Sequence, residues 1–204
     1  SSPSSSSSPR VASHPDVRNT AHHLPTVALP DTLTPMDEIA GPRIRLRRAT
    51  VDDVDALVAI RSTPEVYARW GGELPGDVTA SITDTDPRHL VIEDEGRIVI
   101  GAIQWTEEPD PDYRHASIDI YIDPRVHRRG YGSEALRALV DHLTSSMGHH
   151  RITIDPAVDN AGAIAMYRHV GFEPVGVMRR YERAPDGTWH DGLLMEYLVP
   201  DDAG

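Results

Sequence analysis

The stretch from Ala116 to Leu143 constrains the fold more than any other part of the chain. Ala116–Ile122 alternates, with Ile118, Ile120 and Ile122 on one side and Asp119 and Tyr121 on the other, which predicts a strand. Arg128-Arg129-Gly130-Tyr131-Gly132 follows, and Leu136, Leu139, Val140 and Leu143 then form one apolar stripe of a helix. A strand that runs through a glycine turn into a helix is the first half of a crossover connection. Such a connection commits at least part of the sheet to parallel pairing and sets helices against its faces.

The turn is also an anion site on physical grounds. Glycines let a ligand approach the backbone closely. The helix start offers N–H groups without intrahelical partners and the positive end of the dipole. Arg128 and Arg129 add charge, and a pyrophosphate fits such a place. A plain strand-to-helix turn with two solvated arginines is the alternative. The longer dinucleotide fingerprint and the P-loop lysine are missing, so neither of those nucleotide sites is supported.

The other elements follow from the same patterns. Ile44–Ala49 alternates as a strand, Thr50 caps a helix over about 51–61 with Asp52 and Asp53 in its first turn, and a short helix covers 64–69. Leu90–Ile92 and Ile98–Ile103 form a hairpin across Asp94-Glu95-Gly96, and Thr106–Arg114 is a polar loop. A strand within His150–Asp155 precedes a helix over Asn160–Val170, stopped by Gly171. Two last strands, about 173–182 and 192–198, flank Ala184-Pro185-Asp186-Gly187. The order β-α-α-β-β-β-α-β-α-β-β predicts an α/β (α+β) fold: one domain with a mixed, partly parallel sheet and helices on both faces. The Ser- and Pro-rich residues 1–41 read as a disordered or loosely attached arm, and 42–204 as the folded domain.

Composition narrows the chemistry. Of the net charge of −12, the domain carries −10, from 18 basic and 28 acidic residues, which argues against nucleic acid and weakly for a cationic partner. No cysteine means no disulfide, no cysteine nucleophile and no cysteine metal site. All 20 basic residues are Arg, which removes Schiff-base chemistry. His142, His149 and His150 lack a coherent ligand spacing, so no metal is expected. No apolar run is long enough to span a bilayer and the first residues are no signal peptide, so a cytoplasmic protein away from membranes is expected.

Ile118–Gly132 together with Asp155-Pro156, Asn160, Tyr167 and Gly171-Phe172 resembles the GCN5-related N-acetyltransferase (GNAT) superfamily over about 43–198. The resemblance implies acetyl-CoA as acetyl donor. Its pyrophosphate would lie on the turn His127, Arg128, Arg129, Gly130, Tyr131, Gly132 and Ser133. Its pantetheine arm would wedge between splayed strands 116–122 and 151–155, near Tyr121, Ile122, Asp123, Asn160, Ala163 and Tyr167. His127 stands where the family usually has Gln or Arg.

Within the superfamily, Trp70-Gly71-Gly72-Glu73 and the segment from Ile154 to Glu173 look most similar to aminoglycoside 6′-N-acetyltransferases. An aminoglycoside needs carboxylates for its ammonium groups and aromatic faces for its rings. Trp70, Glu73, Trp105, Glu107, Glu108, Asp110, Asp112, Asp119, Asp155 and Asp191 are the candidates for that role. Acidic residues in 107–112 are equally what a solvated loop contains.

Direct transfer needs a group that takes the amine proton. Asp119 is the candidate as base or as substrate orienter, with His115 as a second acceptor. A main-chain N–H around 121–123 would meet the oxyanion. Tyr167 matches the family's proton donor to the leaving thiolate, and packing against Ile164 is its structural alternative. Another small amine, a polyamine or a protein N-terminus is the alternative acceptor, and an acyl-CoA-binding module the non-enzymatic one. Monomer and homodimer both remain open.

Overall fold

The structure, a computed structural model, describes residues 38–83, 88–184 and 186–200. Most of the expected arm, 1–37, lies outside the described residues. Its last part is not loose, because β1 (Ile39–Ala40) pairs antiparallel with β2 (Ile44–Arg48).

One eight-stranded sheet organises the fold, in the order β1-β2-β3-β4-β5-β6-β8-β7. β3 (His89–Asp94), β4 (Val99–Glu108) and β5 (His115–Ile122) form an antiparallel meander beside β2. β5 then pairs parallel with β6 (Arg151–Ile154), the parallel contact that the first crossover requires. The second crossover skips a position, and β8 (Trp189–Leu198) fills it antiparallel to both β6 and β7 (Glu173–Arg183).

Period-two alternation decides which face each helix covers. Leu90, Ile92, Ile103 and Ile118 point to the face packed by Leu136, Leu139 and Leu143 of α4 (Tyr131–Ser145). α5 (Ala161–Val170) packs on the same cluster and ends at Gly171, whose φ of +116° suits glycine and whose N–H reaches back to the Tyr167 carbonyl. Val91, Ala102 and Tyr121 point the other way, toward Leu57 of α1 (Val54–Arg61) and Val78 of α3 (Gly76–Thr83). α2 (Pro64–Trp70) lies between those two in sequence. α3 was not expected, since Val78 and Ile82 are too few to mark a stripe. No helix among the described residues is long and apolar enough to cross a membrane.

The start of α1 is tied to the sheet by buried charge. Arg47 meets Asp53 and Glu93, each at 2.7 Å, and Arg45 meets Glu93 at 2.8 Å. Burial opposes ionisation of both carboxyls, but the Arg47 guanidinium outweighs it, helped by the Thr50 N–H at Asp53 and by Arg45 at Glu93, and holds both below their usual range. A lowered folded pKa means stability fully present above the ordinary carboxylate value near pH 4, and lost below it as pH falls through the lowered folded pKa. Asp53→Asn is therefore expected to cost about 2 kcal/mol at neutral pH. The same variant should flatten the acid loss of stability in denaturant titrations.

Candidate active site

The cleft forms where β5 and β6 part. Their parallel ladder holds for two residue pairs, Ala116 with Ile152 and Ser117 with Thr153. Beyond these, β5 stays paired with β4 through Ile122 while β6 turns away. The Asp123 N–H donates to the Ile100 carbonyl at 2.8 Å, so it faces β4 and is not free for an oxyanion. Strand alternation then turns the N–H groups of Ile120 and Ile122 toward the gap.

A groove of about 640 Å3 starts in that gap and runs over the glycine turn. Tyr121, Ile122, His127, Arg128, Gly130, Tyr131, Gly132, Ser133, Asn160, Ala163 and Tyr167 all line it. Gly130 caps α4 at φ +88° and Arg128 takes φ +61°, so the turn is tightly bent. A Cβ on Gly132 would lie 2.8 Å from the Met166 sulfur, which keeps α4 close to α5. His127 Nε2 lies 3.0 Å from the Ile122 carbonyl, and the Asn160 side chain caps α5 by accepting from the Ala163 N–H.

Asp123 and Arg129 do not line the groove. The Asp123 side chain is buried and caps a short 3-10 turn over Pro124–Val126. There Arg125 holds it below the usual carboxylate range. The Arg129 carbonyl accepts from Arg43 at 3.1 Å, and Arg43 also pairs with Glu134 of α4.

A second cavity of about 350 Å3 adjoins the groove and shares Arg69, Trp70, Ile120, Asn160 and Tyr167 with it. Asp119, Asp155 and Glu182 bring carboxylates to this one space. Asp119 is open to the cleft but walled by protein elsewhere. That burial pushes its carboxyl above the usual range, as does the nearby Asp155, against a 3.2 Å hydrogen bond from the Gln104 amide. Burial and Asp155 likewise raise Glu182. Arg69 also lines the cavity, and it is paired with Asp159 at 2.6 Å. Tyr167 is buried, and that burial and the two aspartates push its phenol well above the usual tyrosine range. Trp70 stands edge-on to Tyr121, ring centres 4.8 Å apart, and burial raises the Tyr121 phenol to about 12.

Other expected acceptor contacts lie elsewhere. Trp105 is buried and edge-on to His149, because it shares the inward phase of Ile103. β4 continues to Glu108, so Glu107 sits opposite Ala116 at the far end of β5 from Ile122, paired with Arg114 at 3.1 Å. Glu108 and Asp110 spend a carboxylate oxygen on the N–H groups of Asp110 and Asp112, within the same turn. His115 stands opposite Glu108 in the β4–β5 register, and its Nδ1 lies 2.8 Å from the Tyr113 carbonyl. Glu73 is exposed, and its N–H donates to Asp77. Asp191 accepts from the Arg180 N–H at 2.7 Å and supports an irregular stretch of β7 between Met178 and Glu182.

That irregularity supplies what the sequence did not disclose. It brings the Tyr181 hydroxyl to 2.7 Å from Asp155 and sets Glu182 in the cavity. Alternation in β7 carries no mark of it. Among the described residues no group of three or more His, Asp or Glu side chains is placed to hold a metal ion.

The acetyltransferase (GNAT) domain model matches residues 43–173. The RimI N-alpha-acetyltransferase of Mycobacterium tuberculosis is 36% identical over 73 residues, 36% of this chain and 44% of that protein. The chain thus spans less than half the length of that relative. The L-amino acid N-acetyltransferase AaaT of Escherichia coli is 28% identical over 169 residues, covering 74% of this chain and 96% of the relative. Among solved structures, spermidine N-acetyltransferase from Vibrio cholerae with CoA and spermine superposes with a TM-score of 0.64 at 21% identity, over 76% of this chain and 95% of that one. That likeness is one of fold. With a match over well more than half its length, the chain belongs to the GNAT acetyltransferase family.

Proposed function

We propose that this chain transfers the acetyl group of acetyl-CoA to the amine of a small cationic acceptor. The observation that carries this reading is the convergence of Asp119, Asp155 and Glu182 on one cavity that opens into the groove. Carboxylates gathered this way repel one another, and a bound cation relieves that repulsion. The groove suits the donor: a bent glycine turn, the first N–H groups of α4 and Arg128 face one end of it, and Ile122 the other. Bound acetyl-CoA supplies a thioester carbon open to attack by an amine.

The residues around that point divide the proton traffic. An ammonium cannot attack, so Asp119 takes its proton, directly or through water, and its raised pKa makes it a better base near neutral pH. The N–H of Ile120 or Ile122 meets the carbonyl oxygen in the gap. As the C–N bond forms and the C–S bond breaks, Tyr167, held protonated by burial, gives a proton to the thiolate. Trp70 walls the acceptor at the junction.

The expectation of an aminoglycoside gives way to this broader class. The relatives above carry names for N-alpha-acetylation, L-amino acids and spermidine, and four of the acidic residues expected around the drug lie at or beyond the other end of β5. Kanamycin belongs in the acceptor panel as one polycation among others.

The test is CoA release with spermidine, kanamycin, amino acids, a short peptide and a neutral amine. Cationic amines should be preferred. Asp155→Asn with Glu182→Gln should raise KM for the accepted cation about tenfold, with KM for acetyl-CoA unchanged. Equal use of the neutral amine, or an unmoved acceptor KM, would remove the proposed role of the cavity.

A further inference from the structure

On the α1 and α3 side of the sheet, behind Asp119, lies a third and smaller cavity of about 60 Å3. Leu57, Ile82 and Ile103 supply apolar wall, while Arg61, His89 and Gln104 bring polar groups into it. Arg61 is 8% exposed. Its Nη2 donates to the carbonyls of Trp70 and Gly71 at 3.3 and 2.9 Å, and its guanidinium lies 5.6 Å from the centre of the Trp70 ring. Its Nε has no hydrogen-bond partner among the described residues, and neither has Nδ1 of His89. Among the described residues Arg61 makes no ion pair; the Asp77 carboxylate faces the same side of Gly72 as Arg61 Nη2 but bonds the Glu73 N–H instead.

A buried guanidinium without an anion is costly, and so is each buried donor left unpaired. The cavity has room for a carboxylate or for a few waters. Its position matters more than its size. Asp119 lines both this cavity and the acidic one, and Trp70 borders both of these and the acetyl-CoA groove. An amine held at Asp119 therefore stands beside two spaces of opposite charge.

Resting on the function proposed above, we propose that this cavity is a carboxylate subsite and that the acceptor is an α-amino acid with a cationic side chain. Its α-amine meets Asp119, its carboxylate takes the free Arg61 Nε–H and, in the tautomer that carries its proton on Nδ1, His89, and its side chain extends toward Asp155 and Glu182. Polyamines and aminoglycosides would leave Arg61 uncompensated. A peptide N-terminus, whose first residue has no free carboxylate, would do the same.

L-Arginine and agmatine test this directly, because they differ by the carboxylate alone; lysine and cadaverine form a second pair. In steady-state CoA release, kcat/KM for arginine should exceed that for agmatine about tenfold or more. Arg61→Gln should bring that ratio toward one. Arg61 also holds two backbone carbonyls, so His89→Phe provides an independent variant, expected to reduce the same ratio. A wild-type ratio at or below one, or a ratio that survives both substitutions, overturns the subsite and leaves a cavity filled only by water. Turnover of spermidine and agmatine without arginine also overturns it while sparing the cationic-amine reading. No turnover of any amine removes both.

Discussion

Asp119→Asn is expected to lower kcat/KM for every accepted amine by about 10²-fold or more. Asn has the shape of Asp and retains an oxygen for the Gln104 amide, so β4 and β5 should stay paired and KM for acetyl-CoA should hold. What is lost is a carboxylate whose affinity for a proton is raised by burial and by the neighbouring Asp155. The direction of the pH dependence follows. The proton-accepting form of Asp119 is the ionised one, so wild-type kcat/KM should fall as pH drops through a pKa above the ordinary carboxylate value. The variant should lose that acidic limb. Unchanged turnover would take Asp119 out of the chemistry and leave it as a wall of the cavity.

Gly101→Val should damage both the fold and the donor site. A Cβ at Gly101 would lie 2.3 Å from the Tyr121 carbonyl oxygen and 3.1 Å from the Ile122 Cα. Both are backbone atoms of β5, so no side-chain rotation relieves the contact. β4 must then move away from β5 at Ile122, where the strand lines the groove and Asp123 bonds Ile100. A loss of about 3 kcal/mol is expected in urea titrations, typical of forcing extra volume into a packed site. KM for acetyl-CoA should rise in parallel. Full stability in Gly101→Val would mean that β4 and β5 have slack at this register.

The parts legible in the sequence were those written locally. Leu136, Leu139 and Leu143 mark α4 by their spacing, Gly130 marks its start, and the Ile row of β5 sets Asp119 on the opposite face. The groove over the glycine turn follows because one strand, one turn and one helix build most of it. α3 was not legible because its burial rests chiefly on Val78, packed against α1, a tertiary contact with little local periodicity.

The acceptor side shows a harder limit. Acidic residues are easily counted, but composition does not say at which end of a hairpin they stand. β4 carries Glu107 and Glu108 past the end of the expected strand and away from the gap, whereas Asp155 stays beside it. Tyr181 and Glu182 reach the cavity through a break in the β7–β8 register, held by Asp191 under Arg180, and no residue pattern announces such a break. Arg61 reads as an ordinary last-turn helix cation until its burial is seen.

Product stoichiometry decides whether acetyl passes from acetyl-CoA to a cationic amine held at Asp119. The chain is incubated with acetyl-CoA and the panel of amines, and CoA released is compared with acetylated amine by mass spectrometry. One acetyl group on a cationic amine is expected for each CoA released, with no release when amine is withheld. CoA released without any acetylated amine, across the whole panel, would contradict that transfer.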